Sequence, residues 1–268
     1  MNCHFGTRLL NENGDWKTQT DMMNSVSDIS CVSGQMPRIV GLAYASKLYR
    51  NNKNLSDMEN FSINGNEVVF GTIGDASTSE GHFWEAINAC GVLQVPLIMS
   101  IWDDGYGISV PSEYHTTRND LSKALSGFQR SSKKENGYEI FTVHAWDYIN
   151  LLKTYQKAEK LAREDHVPCI IHVKDVTQPQ GHTTSGSHER YKSKERLNWE
   201  KDFCCIKRMR EWIIENNFAS NSEIDIIEKN AEEIAKKSRD RSWKSYRDDI
   251  KEDFDDAIAV ITRVAQNS

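Results

Sequence analysis

Apolar positions along the chain fall into short blocks of two kinds. Glu67–Ile73, Leu97–Trp102, Tyr138–Val143 and Pro168–Val173 are strand-length runs rich in apolar, β-branched and aromatic residues. Elsewhere the apolar spacing changes to three and four. Ile39, Val40, Ala43 and Lys47 mark a helix over Pro37–Tyr49, where Pro37 suits a first helical turn. Phe83, Ala86, Ile87 and Cys90 form the inner stripe of a helix over Glu80–Gly91. Leu121–Phe128 reads as a short helix and Tyr148–Glu164 as a longer one. Residues 1–30, Asn51–Asn66 and Gly105–Thr117 are polar and read as loops, with turn signals such as Asn13-Gly14. Strand and helix alternate. The pattern therefore predicts an α/β fold, a doubly wound parallel sheet with helices on both faces.

Two further segments depart from that alternation. Val176–Tyr191 (VTQPQGHTTSGSHERY) is rich in turn-forming and hydroxyl residues. A loop of that length inside a compact domain usually carries function. Beyond it the composition becomes charged and helical, over Asp202–Asn216, Ile224–Tyr246 and Asp253–Val264. The expected division is a ligand-binding domain over 1–199 and a helical C-terminal extension or linker over 200–268. That extension reads as a packing arm, a subunit-contact arm or a link towards another half.

Composition narrows the class. The 268 residues carry a net charge of −6, which leaves no electrostatic footprint for nucleic acid. No apolar run is long enough to cross a membrane, and the first thirty residues lack an apolar signal core. Cys3, Cys31, Cys90, Cys169, Cys204 and Cys205 show no CxxC spacing, the usage expected of reduced thiols in a cytoplasmic protein. Neither a nucleic-acid nor a membrane partner is expected.

The candidate chemistry lies where two strands end. The first predicted strand runs into Gly74-Asp75-Ala76-Ser77, and the next ends on Asp103-Asp104-Gly105. One βαβ unit separates them, so both acidic groups come to the same sheet edge, where open α/β sheets bind ligands. Hard oxygen donors there suit Mg²⁺ or Ca²⁺ carrying a diphosphate. A helix N-terminus following Gly74–Ser77 would add N–H donors and a favourable dipole, and small side chains would allow close approach. Alone, an Asp at a strand end is an ordinary N-cap and Asp-Asp-Gly an ordinary turn. Their pairing across one βαβ unit is what favours the ligand. An EF-hand is excluded, because Tyr114 stands where its twelfth-position Glu belongs.

The stretch resembles the thiamine-diphosphate motif, GDG…NN, and in particular the α subunit of the decarboxylating component of 2-oxo acid dehydrogenases. The likeness runs from about His4 to Tyr191. "NCHFG" is similar to the family's His-aromatic-Gly segment, "SCVSGQMPRIVGLAYASK" to its next block, "DDGYGISVP" to NNGYAISTP, and "GHTTSGSHERY" to its GHS-x-SD…YR loop. The resemblance implies that Asp75, Asp104 and the carbonyl of Tyr106 hold Mg²⁺. It implies that Gly74, Ala76 and Ser77 line the diphosphate, and that backbone groups of Ser30 and Val32 hold the pyrimidine. It makes His182 the loop histidine that reaches the diphosphate and the reaction centre, and Gln35 a residue of a structural cation site. His188 reads as a solvated loop histidine.

The implied activity is oxidative decarboxylation of a 2-oxo acid with acyl transfer to a lipoyl group. The implied partners are a β subunit or β half, which activates the pyrimidine within a heterotetramer, and a lipoyl-bearing acyltransferase. The chain is then expected to need that β partner for turnover, and to correspond to an α subunit shortened at its N-terminus. The similarity leans towards branched-chain acids over pyruvate. Four positions depart from the family pattern. Ala76 replaces a glycine, Asp103 and Asp104 replace asparagines, and Gln178 stands where the family has an arginine. The site is therefore less cationic than the family's, with Lys174, Arg190 or a partner chain as candidates to compensate. Two alternatives remain open. One is the N-terminal half of a transketolase-like enzyme. The other is a non-catalytic subunit that has lost the cofactor.

Overall fold

A computed structural model describes residues 6–27, 29–182 and 187–266. The chain divides into two compact units, residues 3–209 and residues 210–268. In the first unit, β1 (Val69–Gly74), β2 (Leu97–Trp102), β3 (Glu139–His144) and β4 (Cys169–Lys174) form one parallel sheet in the order β1-β2-β4-β3. Helices α1 (Met36–Asn51) and α2 (Gly81–Leu93) cover one face, and α3 (Tyr148–Asp165) covers the other. This is the doubly wound α/β arrangement that the apolar pattern predicts.

Strand alternation divides the core between the two faces. Leu97, Met99 and Ile101 of β2 pack with Met36, Ile39 and Ala43 of α1 and with Phe83, Ile87 and Cys90 of α2. Ile98 turns the other way, towards Ala158 and Ala162 of α3 and Cys169 and Ile171 of β4. The predicted stripe of α2 is its buried face, Phe83, Ala86, Ile87 and Cys90. Its left-handed C-cap, Gln94 at φ 48°, returns its N–H to the Cys90 carbonyl. The Asp147 side chain caps α3 by accepting the Asn150 N–H at 3.1 Å. In α1 the buried set is Met36, Ile39, Ala43 and Ser46. Lys47 sits at the rim instead and donates to the Leu93 carbonyl.

Four sequence expectations are corrected. Gly105–Thr117 is not wholly irregular: Tyr106–Gly107 and Val110–Pro111 pair antiparallel. Leu121–Phe128 is a helical turn, Leu121–Ala124, followed by a 3₁₀ turn, Ser126–Phe128. The segment near Asp202 holds two helices, α4 (Lys194–Asp202) and α5 (Cys205–Glu215). In the second unit, Ile224–Tyr246 and Asp253–Val264 are parts of one helix, α6 (Asn221–Gln266). No Pro or Gly interrupts that stretch, and i,i+4 pairs such as Lys244–Asp248 at 2.5 Å support it across the polar gap. Its first turns are tied to Arg210, which bonds Asp225 at 2.6 Å and Glu228 at 2.8 Å.

Among the described residues no disulfide forms, and no helix is long and apolar enough to cross a membrane. Phe83 is fully buried at the centre of the α1/α2 face. Phe83→Ala is expected to cost about 3–5 kcal/mol, read as a shift in the midpoint of a denaturant titration.

Candidate functional site

Backbone register brings the site together. Gly74 pairs with Trp102, and Trp102 with Val173, so three strands finish at one level. The next residues continue the ladder: the Asp75 N–H bonds the Trp102 carbonyl at 3.2 Å, and the Asp103 N–H bonds the Val173 carbonyl at 2.9 Å. Asp75, Asp103 and Asp104 thereby form one acidic cluster, as the sequence pattern requires.

The three carboxylates have different surroundings. Asp75 is only 3% exposed, and its Oδ2 has no hydrogen-bond partner among the described residues. Burial first, then the charges of Asp103 and Asp104, push its pKa up to about 8. Asp103 is held below the usual carboxylate range despite its burial, because His172 and the Gly105 N–H bond it. His172 Nε2 lies 2.7 Å from Asp103 Oδ2, and its Nδ1 lies 2.6 Å from Ser122 Oγ. The ring is completely buried. Asp104 accepts the Tyr106 N–H at 3.1 Å, and burial raises its pKa against the pull of Lys192 and Arg196.

A short turn separates β1 from α2. Ala76–Ser79 is a 3₁₀ turn, and the α-helix begins only at Gly81. The helix predicted over Glu80–Gly91 thus begins one residue later, and the turn between it and Asp75, not the helix N-terminus itself, borders the cluster. Ala76 is not among the residues with positive φ, so its methyl group is accommodated without strain. The hairpin closes against it. A Cβ on Gly107 would lie 2.7 Å from the Ala76 Cβ, so glycine is required there. Pro111, paired opposite Tyr106, has no N–H to offer the Tyr106 carbonyl.

The remaining sequence candidates are dispersed. Ser33 Oγ donates to the Ser77 carbonyl at 2.7 Å and ties the Ser30–Val32 segment to the turn. Ser30 is exposed, and so is Val32. Gln35 reaches the Thr72 carbonyl at 3.3 Å. His182 is exposed in the loop after β4, and no hydrogen bond joins it to the carboxylates among the described residues. His4 and residues 183–186 of that loop lie outside the described residues. Among the described residues, no group of three or more His, Cys, Asp or Glu is arranged to hold a metal ion.

Of the compensating cations expected from sequence, Lys174 pairs with Asp120 at 3.1 Å and Arg190 is exposed. Several contributors had no sequence signal. The cations beside the cluster are Arg196, which donates to the Asp104 carbonyl at 2.7 Å, and Lys192, whose Nζ lies 4.9 Å from the Tyr106 ring centre. Both bond Glu200 Oε1, Lys192 at 2.7 Å and Arg196 at 2.8 Å. Lys192, just before the Ser193 N-cap, and Arg196, in the first turn of α4, meet at Glu200, a juxtaposition that only the fold relates to Asp104. His115, also unforeseen, places Nε2 3.9 Å from Asp75 Oδ2, and neither atom has a hydrogen-bond partner among the described residues.

Residues 7–249 match the model of the dehydrogenase E1 component, and the chain belongs to that family. The chain is 27% identical over 215 residues to the pyruvate dehydrogenase E1 component subunit alpha of Rickettsia bellii, covering 80% of this chain and 58% of that protein. It is 27% identical over 259 residues to the mitochondrial 2-oxoisovalerate dehydrogenase subunit alpha of Dictyostelium discoideum, covering 96% of this chain and 50% of that protein. The chain thus spans about half the length of these curated relatives. A transketolase structure from Campylobacter jejuni aligns over 67% of this chain and 25% of its own, with a TM-score of 0.43 and 18% identity.

The raised pKa of Asp75 has a stability consequence. An unfolded chain releases this proton near 3.8, whereas the folded chain retains it up to about 8. The native state binds the extra proton across that window, so stability falls as pH rises through it. Thermal melts at about pH 5 and about pH 8 are expected to show a lower midpoint at the higher pH, and Asp75→Asn is expected to flatten the difference. An equal drop in the variant would assign the slope to other groups.

Proposed function

We propose that this chain is the α component of a 2-oxo acid dehydrogenase that holds Mg²⁺–thiamine diphosphate at the strand-end cluster. The observation that carries this reading is the buried, unpartnered Asp75 Oδ2, beside two more carboxylates and against a turn of small residues. Carboxylates crowded in this way favour a divalent cation, which relieves both burial and mutual repulsion. Two carboxylates and one carbonyl make an incomplete ligand set, one that leaves positions for diphosphate oxygens and water.

In this reading Asp75, Asp104 and the Tyr106 carbonyl hold the metal, while Gly74, Ala76 and Ser77 line the diphosphate. The Ser30–Val32 backbone holds the pyrimidine, and His182 orients the phosphates or the acyl acceptor. Arg196 fixes the loop through the Asp104 carbonyl. Asp103 stays out of the ligand set, because His172 and the Gly105 N–H take its oxygens. When bound, thiamine diphosphate supplies the thiazolium carbon that attacks the 2-oxo group and the ring that takes up the electrons as CO₂ leaves. A β subunit or β half completes the site, a lipoyl-bearing acyltransferase receives the acyl group, and the substrate is a 2-oxo acid.

Calorimetric titration with thiamine diphosphate tests the assignment. Binding is expected to require Mg²⁺, to tighten when a candidate β partner is added, to disappear in Asp75→Ala and to persist in Asp104→Asn, which keeps the oxygen. Binding that survives Asp75→Ala, or that needs no divalent cation, would sink it.

A further inference from the structure

A cavity of about 520 Å³ opens beside the acidic cluster. Its walls include Ser79, the last residue of the 3₁₀ turn, and His115, whose Nε2 faces Asp75 Oδ2 at 3.9 Å. Arg118 and Lys123 line it, Thr116 adds a hydroxyl, and Trp84 forms an aromatic wall. We infer that this cavity is a binding site for a small carboxylate, the 2-oxo acid class, with Arg118 as its anchor. This substrate assignment rests on the function proposed above; the anion site itself rests on the cavity alone.

Charge selects the ligand. The Arg118 guanidinium has no hydrogen-bond or ion-pair partner among the described residues. Asp120 lies between the lining residues Arg118 and Lys123 along the chain. Lys174 bonds its Oδ2 at 3.1 Å, and Lys123 stands 3.7 Å from the same atom. One acidic charge is thus shared by two lysines, and the lining keeps a positive excess that a carboxylate would match.

Backbone geometry supports a functional role for Arg118. Its φ is 67° and that of Asn119 is 49°, two successive non-glycine residues in the left-handed region. Such conformations persist only where surrounding structure enforces them. Here Ser112 Oγ bonds Asn119 Oδ1, and the Asn119 N–H bonds the Thr116 carbonyl at 2.9 Å. The Asp120 side chain also caps the following turn through the Lys123 N–H at 3.2 Å. The strained loop holds an exposed guanidinium with no ion-pair partner among the described residues in the lining of a cavity that adjoins the proposed cofactor turn. Trp84, packed edge-on to Phe83 with ring centres 5.4 Å apart, gives an aliphatic chain an apolar surface.

The strain also separates ligand binding from folding, because glycine accepts positive φ. Arg118→Gly is expected to leave the thermal midpoint unchanged or raised. Saturation-transfer NMR on the full chain without cofactor, with 3-methyl-2-oxobutanoate as probe, is expected to show binding. Arg118→Gly is expected to weaken it at least about tenfold, the loss of one charge-assisted pair, and Arg118→Lys by less. The uncharged 3-methyl-2-butanone is expected not to compete. Equal binding by wild type and Arg118→Gly overturns the proposal, as does competition by the neutral ketone. Inorganic phosphate that binds more tightly than the acid would reassign the site to phosphate and likewise overturn it. Acid binding lost in Arg118→Gly, in a chain that takes up no thiamine diphosphate, would support the anion site and refute the cofactor reading.

Discussion

Backbone hydrogen bonds between β1, β2 and β4 set Gly74, Trp102 and Val173 level with one another, so three chain segments leave the sheet at one edge. Parallel pairing in a single register forces the next residues into one small volume, and those residues are Asp75 and the pair Asp103-Asp104. A slip of one residue would turn the Asp75 side chain to the opposite face of the sheet. The core prevents this: Leu97, Met99 and Ile101 must meet α1 and α2 while Ile98 meets α3. Hydrophobic sorting between the two faces therefore determines the electrostatics at the edge.

Three acidic groups so placed repel one another, and the protein meets each differently. Asp103 is bonded by a fully buried histidine that Ser122 in turn steadies. Asp104 is flanked by Lys192 and Arg196, which act against its burial. Asp75 has only the Ala76 N–H to oppose its burial and the charges of Asp103 and Asp104, and its pKa rises. A site whose carboxylates were merely structural would gain more from satisfying all three. The unsatisfied Asp75 oxygen also faces the unsatisfied His115 nitrogen at 3.9 Å.

Much of this was legible in the residues. Continuous apolar runs against a spacing of three and four distinguished strands from helices, and the α2 stripe of Phe83, Ala86, Ile87 and Cys90 is the face the structure buries. The strand-end acids were legible because a βαβ unit fixes where its strands finish. Turn chemistry was harder to read: a 3₁₀ turn before Gly81 and a two-residue hairpin after Asp104 depend on tertiary closure, not on local propensity. The long α6 was read as two pieces because its apolar spacing weakens around Arg247–Asp249, whereas helix continuity needs only the absence of breakers. His172, His115, Lys192 and Arg196 could not be tied to the site from sequence. Each is separated from its carboxylate by tens of residues, and a lone histidine or lysine in a polar stretch carries no positional signal.

The contact between Ala76 and Gly107 has an evolutionary side. The Ala76 methyl group fills the space that a Cβ on residue 107 would need. The two positions share room for a single methyl, and this chain places it on the turn rather than on the hairpin. Substitutions at either site are therefore conditional on the other, so the pair drifts as one linked character, and a lineage can move the methyl across the gap only through a state in which both residues are glycine.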